Sequence, residues 1–332
     1  IINVADLTKQ KVFKNAVIKN CIITIKNSKP TNNTIKVYYP NIPEDLFNKY
    51  NWKWPQNKVD EKLGFSLKLS LISSKKTLCD KIREKSWLLE DHYYVTFGLR
   101  SSSKTKGGGG KERLITTNKT DLNAKPYLEG REINRYLKFP KGNLIRYLPE
   151  QMYSPRSPEL FETQKIISRT MLSNAKIVAT YDENNFFVEQ SLLCIIPHGI
   201  LTEKRFDSIY SLKFILGIIN SNVTSFYFSS YIIDYSLGGG LIHATPGSQG
   251  KLPFPKIDLS NKKDKSHHDQ MVTYVNTMLE LNKKLPTVKT EHEQTVIQRQ
   301  IDATDRKIDS LVYELYDLTE EEIKIVENSI NS

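Results

Sequence analysis

The hydrophobic pattern of this 332-residue chain changes near residue 260, and this change limits the folds that it can adopt. Before that point, short runs of alternating apolar and polar residues, such as KIVATYDENNFFVEQ, are separated by turn residues and predict strands. After it, apolar residues recur every three or four positions through two long segments, which predicts helices. The expected fold class is therefore α+β, with a β-rich part followed by a helical part.

The helical part is predicted to contain two long helices, at 269–285 and 291–318, joined by LPTVKT. We expect them to form an antiparallel helical hairpin with coiled-coil packing. The second helix carries a heptad seam made of Ile297, Ile301, Thr304, Ile308, Leu311 and Leu315. Thr319 and Glu322 have the spacing of a capping box at the start of a final short helix.

One helix is also predicted inside the β-rich part, from Asp207 to about Tyr231. Apolar residues occupy more than one of its faces, so we expect it to be buried. Residues 58–260 are accordingly predicted to form one β-rich domain, and residues 261–332 the helical hairpin and C-terminal helix. Residues 1–57 are predicted to be a terminal β-hairpin and linker, because VIKNCIITIKNS and NTIKVYYP alternate around the turn residues SKPTNN.

Charge is distributed unevenly along the chain, whose net charge is +11. Residues 1–260 hold 38 lysines and arginines against 23 acidic residues, and residues 261–332 hold 10 against 14. A basic body of this kind attracts polyanions, of which nucleic acid is the commonest in a cell interior. Lysines that serve only solubility are the alternative explanation.

Motifs for catalysis are absent from the sequence. The chain has no Pro-Pro pair for the base-gripping loop of an adenine methyltransferase, no HExxH and no GxSxG. Its three cysteines are widely spaced and form no CxxC pair or His/Cys cluster, so we expect no metal site. No Gly-rich turn lies between a strand and a helix, so no cofactor site is expected either. Asp182 with Glu189 is the nearest approach to a nuclease pair. A two-metal nuclease requires Glu-x-Lys or Glu-x-Gln on the second strand, whereas here Glu189 is followed by Gln190 and Ser191.

No apolar run approaches the roughly 20 residues of a membrane span, so no membrane partner is expected.

Basic and aromatic residues recur together, most densely in REINRYLKFPKGNLIRY. Arginine can fork onto guanine or phosphate, and tyrosine can stack on a base, so these residues are expected to contact DNA. On a strand, Arg131 and Arg135 would point to the same face. A solvated strand edge is the competing interpretation for any one segment. The predicted DNA-binding residues are Lys104, Lys106, Lys111, Arg113, Arg131, Asn134, Arg135, Tyr136, Arg146, Arg169, His243 and Lys251.

The segments KPYLEGREINRY, SPELFETQKIISRTM, SLKFILGIINSNVTSFYF and GKLPFP, in this order, resemble the TaqI-like C-terminal specificity domain over roughly residues 60–327. That domain is the target-recognition part of adenine-N6 DNA methyltransferases and of fused restriction–modification enzymes. The resemblance implies sequence-specific binding of double-stranded DNA in a prokaryotic cytoplasm. It also implies an upstream methyltransferase domain, absent here, that holds S-adenosylmethionine, with residues 1–40 as its last hairpin. Gly130 would then be a turn residue, with Arg131 and Arg135 as DNA contacts.

Two other functions fit the same sequence. A specificity subunit of a multi-subunit restriction system also combines a recognition domain with a helical spacer, although it normally carries two of each and this chain has no internal repeat. An assembly module would act through the helical hairpin, by self-association through 269–318. The basic net charge would then play no part in its function.

Overall fold

A computed structural model describes residues 1, 3–6, 21–26, 34–38, 47–48, 52–55, 73–101, 110–173, 176–203, 210–232 and 242–331. The chain divides into two compact units, Ile1–Ile72 and Ser73–Ser332. The predicted α+β class is confirmed. The first unit contains the strands β1 (Asn3–Asp6), β2 (Cys21–Thr24), β3 (Thr34–Tyr38) and β4 (Trp52–Pro55).

The second unit combines short strands with eight helices among its described residues. Its strands are β5 (Ser86–Leu88), β6 (Tyr93–Phe97), β7 (Ile115–Thr116), β8 (Ala124–Leu128), β9 (Ile133–Asn134), β10 (Leu137–Lys138), β11 (Leu144–Arg146), β12 (Lys165–Arg169), β13 (Met171–Leu172), β14 (Ala179–Asp182), β15 (Phe187–Val188), β16 (Leu192–Pro197), β17 (Ile242–His243) and β18 (Pro253–Pro255). Its helices are α1 (Ser73–Glu84), α2 (Leu89–His92), α3 (Leu212–Ile219), α4 (Asn222–Tyr227), α5 (Pro246–Gly250), α6 (Lys262–Lys284), α7 (Glu291–Leu315) and α8 (Glu320–Asn331).

The sheet of the first unit has the strand order β2-β1-β3-β4. Strand β1 pairs antiparallel with β2 and parallel with β3, so it lies between the two strands that were expected to form a hairpin. The predicted hairpin pairing is therefore wrong. Burial explains the outcome: Val4 of β1 and Val37 of β3 are 1% and 0% exposed, whereas Ile23 of the edge strand β2 is 45% exposed. The turn residues between β2 and β3 carry no information about a third strand that inserts between them.

An antiparallel sheet of order β14-β12-β16-β6 forms the centre of the second unit. Leu192, Cys194 and Ile196 of β16 belong to a core shared with residues of a second sheet, of order β15-β8-β11-β7. Helix α3 covers the other face, where it contacts β12 and β14. Because both faces of the central sheet are buried, β16 is an unbroken apolar run rather than an alternating one.

The helix predicted from Asp207 to about Tyr231 is buried as expected, but its described part is divided into α3, α4 and a π-helical turn at Phe228–Ile232. The break has a local cause. The Asn220 side chain, at the end of α3, accepts the Ala179 amide and donates to the Ala179 carbonyl, both at 3.0 Å. Ser221 then caps α4 by accepting the amide of Thr224 at 3.2 Å. Residues 207–209 lie outside the described part of the chain.

The predicted helical hairpin is confirmed. Helices α6 and α7 run antiparallel through a 3₁₀ turn at Leu285–Thr287, and Lys263 lies 3.4 Å from Glu314 across the pair. Its seam is buried at Ile297, Ile301, Thr304, Ile308 and Leu311. The predicted capping box is also present, with the Thr319 amide donating to Glu322 Oε2 at 2.8 Å.

Helix α6 packs closely on α3. A Cβ atom at Gly217 of α3 would lie 2.3 Å from the Met271 sulfur and 3.1 Å from Val275 Cγ2 of α6, so a larger residue there would force these side chains to move. The helical hairpin thus shares one compact unit with the β-rich part, and the predicted boundaries at 57/58 and 260/261 stay predictions. Among the described helices, none combines the length and the hydropathy that a membrane-spanning segment requires.

Helix α7 supplies a second capping group at the start of α4, beside Ser221. Asp309 is 8% exposed, and its two carboxylate oxygens accept the backbone amide and the side-chain amide of Asn222, both at 2.8 Å. Burial raises the pKa of Asp309 to about 7, against the opposing effect of the Asn222 bond. This carboxyl group therefore changes its charge near neutral pH.

Replacing Asp309 with Asn is expected to make stability less sensitive to pH. The folded-state pKa is about 7 and lies above an unfolded value near 4. The folded state therefore holds the proton more tightly, and ionisation of Asp309 lowers stability as pH rises from about 4 to about 7. The unfolding free energy of Asp309→Asn relative to the unaltered chain should increase, by on the order of 2 kcal/mol, between about pH 5 and about pH 8.

Urea unfolding at each pH measures this difference. Asp302→Asn is the control, because Asp302 is exposed on the same helix. A difference that stays constant or falls as pH rises would contradict the expectation.

Candidate nucleic-acid interface

The segment KPYLEGREINRY forms β8, a 3₁₀ turn at Gly130–Glu132, β9 and the turn into β10. The Gly130 amide donates to Ser191 Oγ at 3.0 Å, and a Cβ atom at Gly130 would lie 3.1 Å from Ser191 Cβ. Glycine permits this close approach. Glu132 is 1% exposed and accepts the amides of Glu129 and Lys141 at 2.7 and 2.8 Å. These bonds fix the turn that carries Arg131.

Arg131 and Arg135 do not lie on one face of a strand, so that prediction is wrong. Arg131 belongs to the 3₁₀ turn and is exposed, and no ion pair or hydrogen bond engages its guanidinium within the described residues. Arg135 follows β9 and points inward. The interruption of the strand by Gly130–Glu132 abolishes the even spacing on which the prediction depended.

Arg169 joins this turn to the central sheet. Its Nη2 donates to the carbonyl of Ile133, next to the exposed Asn134. Burial lowers the pKa of Arg169 from its ordinary value. The Arg169 carbonyl accepts the side-chain amide of Gln249 at 3.0 Å, which ties the end of β12 to α5. The half-buried guanidinium is thus held beside the turn that presents Arg131 and Asn134.

A two-residue ladder brings His243 to the same place. Met171 of β13 pairs with His243 of β17, and the Ala244 amide donates to the Thr170 carbonyl at 2.7 Å. The His243 ring stacks on Phe97, with 6.4 Å between ring centroids and 27° between planes. His243 is exposed and Met171 is 37% exposed.

Ser191 lies where these segments meet. Its side chain accepts the Gly130 amide, and its carbonyl accepts the amide of Thr170 at 3.0 Å. The adjacent Gln190 is exposed. We call the resulting surface the recognition face, and it consists of Phe97, Lys111, Arg131, Asn134, Arg169, Met171, Gln190 and His243.

Lys111 reaches the recognition face through an ion pair. Its ammonium lies 2.7 Å from Glu129 Oε1, next to Gly130, and this bond raises the pKa of Lys111. The lysine is 39% exposed at its side chain, so it is held at the edge of the face and still meets solvent. Lys104 and Lys106, predicted to act with it, lie outside the described residues.

Three predicted DNA contacts are occupied or buried inside the protein. Arg135 is engaged by Asp305 and Asn220. Tyr136 is 1% exposed, because its left-handed backbone (φ 59°) turns the ring inward while its amide donates to Ala179 at 3.0 Å. That backbone conformation costs about 1–2 kcal/mol outside glycine, which ring burial offsets. Arg113 donates to the Gln151 carbonyl at 2.7 Å.

The remaining two lie apart from the recognition face or at its margin. Arg146 pairs with Ala124 at the start of β8 and is bonded to Asp121 at 2.6 Å. Gly130 lies six residues after Ala124 in the chain. Because six extended residues span roughly 20 Å, Arg146 lies about that far from the turn that carries Arg131. Lys251 is half-buried and follows α5, whose Gln249 binds the Arg169 carbonyl.

Sequence reasoning missed Phe97, Met171 and Gln190. Phe97 pairs with Leu193, Met171 pairs with His243, and Ser191 beside Gln190 bonds Gly130, so their positions depend on segments far apart in the chain, which no local pattern signals. It also missed Arg100, which is exposed and lies 4.7 Å from the ring of the exposed Tyr153. Nucleobases can stack on an arginine and an exposed tyrosine that are arranged in this way.

The nuclease pair Asp182 and Glu189 does not form in the described structure. Asp182 is fully buried, and the ammonium groups of Lys165 and Lys138 each lie 2.7 Å from its carboxylate. Burial raises its pKa, but the two lysines outweigh this effect and lower it. Glu189 instead accepts the Ser191 amide at 2.9 Å. The described residues contain no group of three or more His, Cys, Asp or Glu that could hold a metal.

Residues 125–245 match the family of the TaqI-like C-terminal specificity domain. We call residues 125–245 the specificity domain, after the family that they resemble. The match confirms the resemblance seen in the sequence, over a narrower range than residues 60–327. It includes Arg131, Asn134, Arg169, Met171, Gln190 and His243 of the recognition face. No catalytic domain is evident in the described part of the chain.

Two solved structures are similar to the chain. The type IIL restriction–modification enzyme MmeI, solved in complex with DNA, is 8% identical over 71% of this chain and 35% of its own, with a TM-score of 0.42. The HsdS subunit from Thermoanaerobacter tengcongensis is 11% identical over 76% of this chain and 50% of its own, with a TM-score of 0.32. This chain thus spans half or less of the length of either protein. A search among curated proteins finds no match.

Within the specificity domain, Asp182→Asn is expected to destabilise the fold by about 3–5 kcal/mol, because it leaves the fully buried Lys165 ammonium without its anionic partner. The Glu183→Gln variant is the matched control, since Glu183 is the exposed neighbour and should change stability by less than about 0.5 kcal/mol. Denaturant unfolding of both variants measures the effect. Equal losses in the two variants would show that the buried charge pair is not what stabilises this region.

Proposed function

We propose that the recognition face binds double-stranded DNA and reads its sequence for a restriction–modification system. One observation carries this proposal: Arg131, Asn134, Arg169 and His243 converge on one surface from three separated chain segments within the specificity domain. The basic balance of residues 1–260 supports it, because cationic surfaces attract the phosphate backbone.

Different members of the recognition face suit different parts of DNA. Arg131 has no partner among the described residues, so its guanidinium can take a phosphate or a guanine edge. The exposed amides of Asn134 and Gln190 carry the donor and acceptor groups that adenine requires, and Asn134 Oδ1 also accepts the Arg135 backbone amide at 2.9 Å. Met171 and Phe97 offer apolar contact, which suits a thymine methyl group. Lys111 and Arg169, which already have protein partners, are better placed to hold the backbone.

The catalytic step belongs to another part of the system in this proposal. The described residues contain no methyltransferase centre, so we propose that the chain positions DNA for an adenine-N6 methyltransferase domain that holds S-adenosylmethionine, in a prokaryotic cytoplasm. Self-association through 269–318 remains a prediction. Against it, the apolar seam of Ile297, Ile301 and Ile308 is already buried within one chain.

A binding titration tests the proposal. The chain is added to a mixed-sequence duplex of about 30 base pairs, and fluorescence anisotropy measures the affinity at salt concentrations between about 50 and 200 mM. About six phosphate contacts would give a slope of log affinity against log salt near −5. If Arg131 holds a phosphate, Arg131→Ala should weaken binding to every sequence and reduce the slope by about 1. Arg306→Ala is the matched control, because Arg306 is exposed on α7 and the variant loses the same charge. Absence of binding at low salt, or equal losses in both variants, would overturn the proposal.

Base reading is measured separately, by selecting bound duplexes from a randomised library. Asn134→Ala should relax the preference at one base position and cost about 1–3 kcal/mol of discrimination there, since the bidentate contact to one base is lost. The control is Asn282→Ala on α6, whose amide donates within its own helix to the Met278 carbonyl at 2.8 Å. An unchanged selected sequence for Asn134→Ala would exclude this side chain as a reader.

A further inference from the structure

Arg135 makes three hydrogen bonds inside the protein. Nη1 and Nη2 bind the two carboxylate oxygens of Asp305 on α7 at 2.9 and 2.7 Å, a bidentate pair. Nη2 also donates to the carbonyl of Asn220, at the end of α3, at 2.8 Å. The side chains of Arg135 and Asp305 are 26% and 27% exposed, so water screens their ion pair less than it would screen a pair at the open surface. The guanidinium also lies 5.6 Å from the Tyr136 ring.

Asn220 connects this clamp to the central sheet. Its side chain binds both backbone groups of Ala179, and the Ala179 carbonyl also accepts the Tyr136 amide at 3.0 Å. One turn further along α7, Asp309 binds Asn222. Helix α7 therefore holds both the α3–α4 junction and, through Arg135, the turn that follows Asn134.

The β9–β10 turn has little support of its own. Its ladder contains only two residue pairs, Ile133 with Lys138 and Asn134 with Leu137, and an isolated two-stranded hairpin is at best marginally stable. Tyr136 holds a left-handed backbone in this turn, a conformation that must be imposed by its surroundings. The position of Asn134 on the recognition face thus depends on contacts outside the ladder, and through the Arg135 clamp it depends on α7.

We infer that Asp305, acting through Arg135, is a positioning residue for DNA discrimination, so that the helical hairpin takes part in recognition without touching DNA. This inference rests on the proposed function of the recognition face. It assigns Arg135 a role opposite to the direct DNA contact expected from the sequence. The two roles predict opposite changes in DNA affinity when Asp305 is removed. If Arg135 positions the turn, the turn loosens and affinity falls. If Arg135 contacts DNA, its guanidinium is freed and affinity rises.

The test compares Asp305→Ala, Arg135→Ala and the double variant, using the full chain and a duplex selected from a random library by the unaltered chain. If Arg135 positions the turn, both single variants weaken binding by about three- to tenfold. The double variant should be no weaker than either single variant, because all three remove the same clamp. The salt slope stays that of the unaltered chain, since no phosphate contact is lost. The base preference relaxes at the position that Asn134→Ala affects.

Asp302→Ala is the control, because it removes an equal charge from an exposed site on α7 and should leave binding unchanged. Asp305→Asn retains the shape of the side chain and should fall between Asp305→Ala and the unaltered chain. Thermal unfolding and titration of the active fraction accompany each measurement. Lost stability alone would reduce the active fraction and leave the base preference of the folded molecules intact.

Tighter binding by Asp305→Ala, together with a slope about 0.9 shallower for Arg135→Ala, would show that Arg135 contacts a phosphate and would overturn the inference. Unchanged affinity and base preference in Asp305→Ala would overturn it as well, and an intact effect of Arg131→Ala would leave the proposed function standing. Failure of the unaltered chain to bind any duplex would overturn both.

Discussion

The specificity domain depends most on one interaction, the pairing of the buried Asp182 carboxylate with Lys165 and Lys138. Lys165, its partner across the β12–β14 ladder, is fully buried with it, and Lys138 reaches the same carboxylate from β10. The Lys165 ammonium is further satisfied by the Phe161 carbonyl at 2.6 Å. A buried charge is tolerable only when paired and hydrogen-bonded, so these groups must assemble together. Their assembly fixes β10, and with it one end of the turn that presents Asn134.

The recognition face is a product of non-local pairing. Ser191, Thr170 and Gly130 meet through backbone and hydroxyl bonds, while a ladder of two residue pairs brings His243 beside Met171. Each element is too short to form alone, and each is held because the sheet beneath it is buried on both faces. A rigid core that carries short, exposed connections suits the DNA-reading role that we propose, which requires several side chains in a fixed arrangement.

The helical hairpin is integrated with the specificity domain. Gly217 allows α6 to lie against α3, Asp305 of α7 binds Arg135 in the β9–β10 turn, and Asp309 binds the start of α4. Asp305 of this acidic region thus has its cationic partner, Arg135, in the basic part of the chain. The same contacts provide a physical connection between the hairpin and the recognition face, across which a change in one can reach the other.

The sequence by itself determined the α+β class, the buried helical segment, the helical hairpin with its seam, and the resemblance to a TaqI-like specificity domain. Each of these depends on local periodicity, capping chemistry or the order of segments, which a chain displays without folding. Tertiary structure alone decided which cations face outward. Arg131 and Arg135 are alike in the sequence, yet a 3₁₀ turn exposes the first and Asp305, 170 residues away, engages the second. Only folding brings that carboxylate within hydrogen-bonding distance, so no local pattern could distinguish the two arginines.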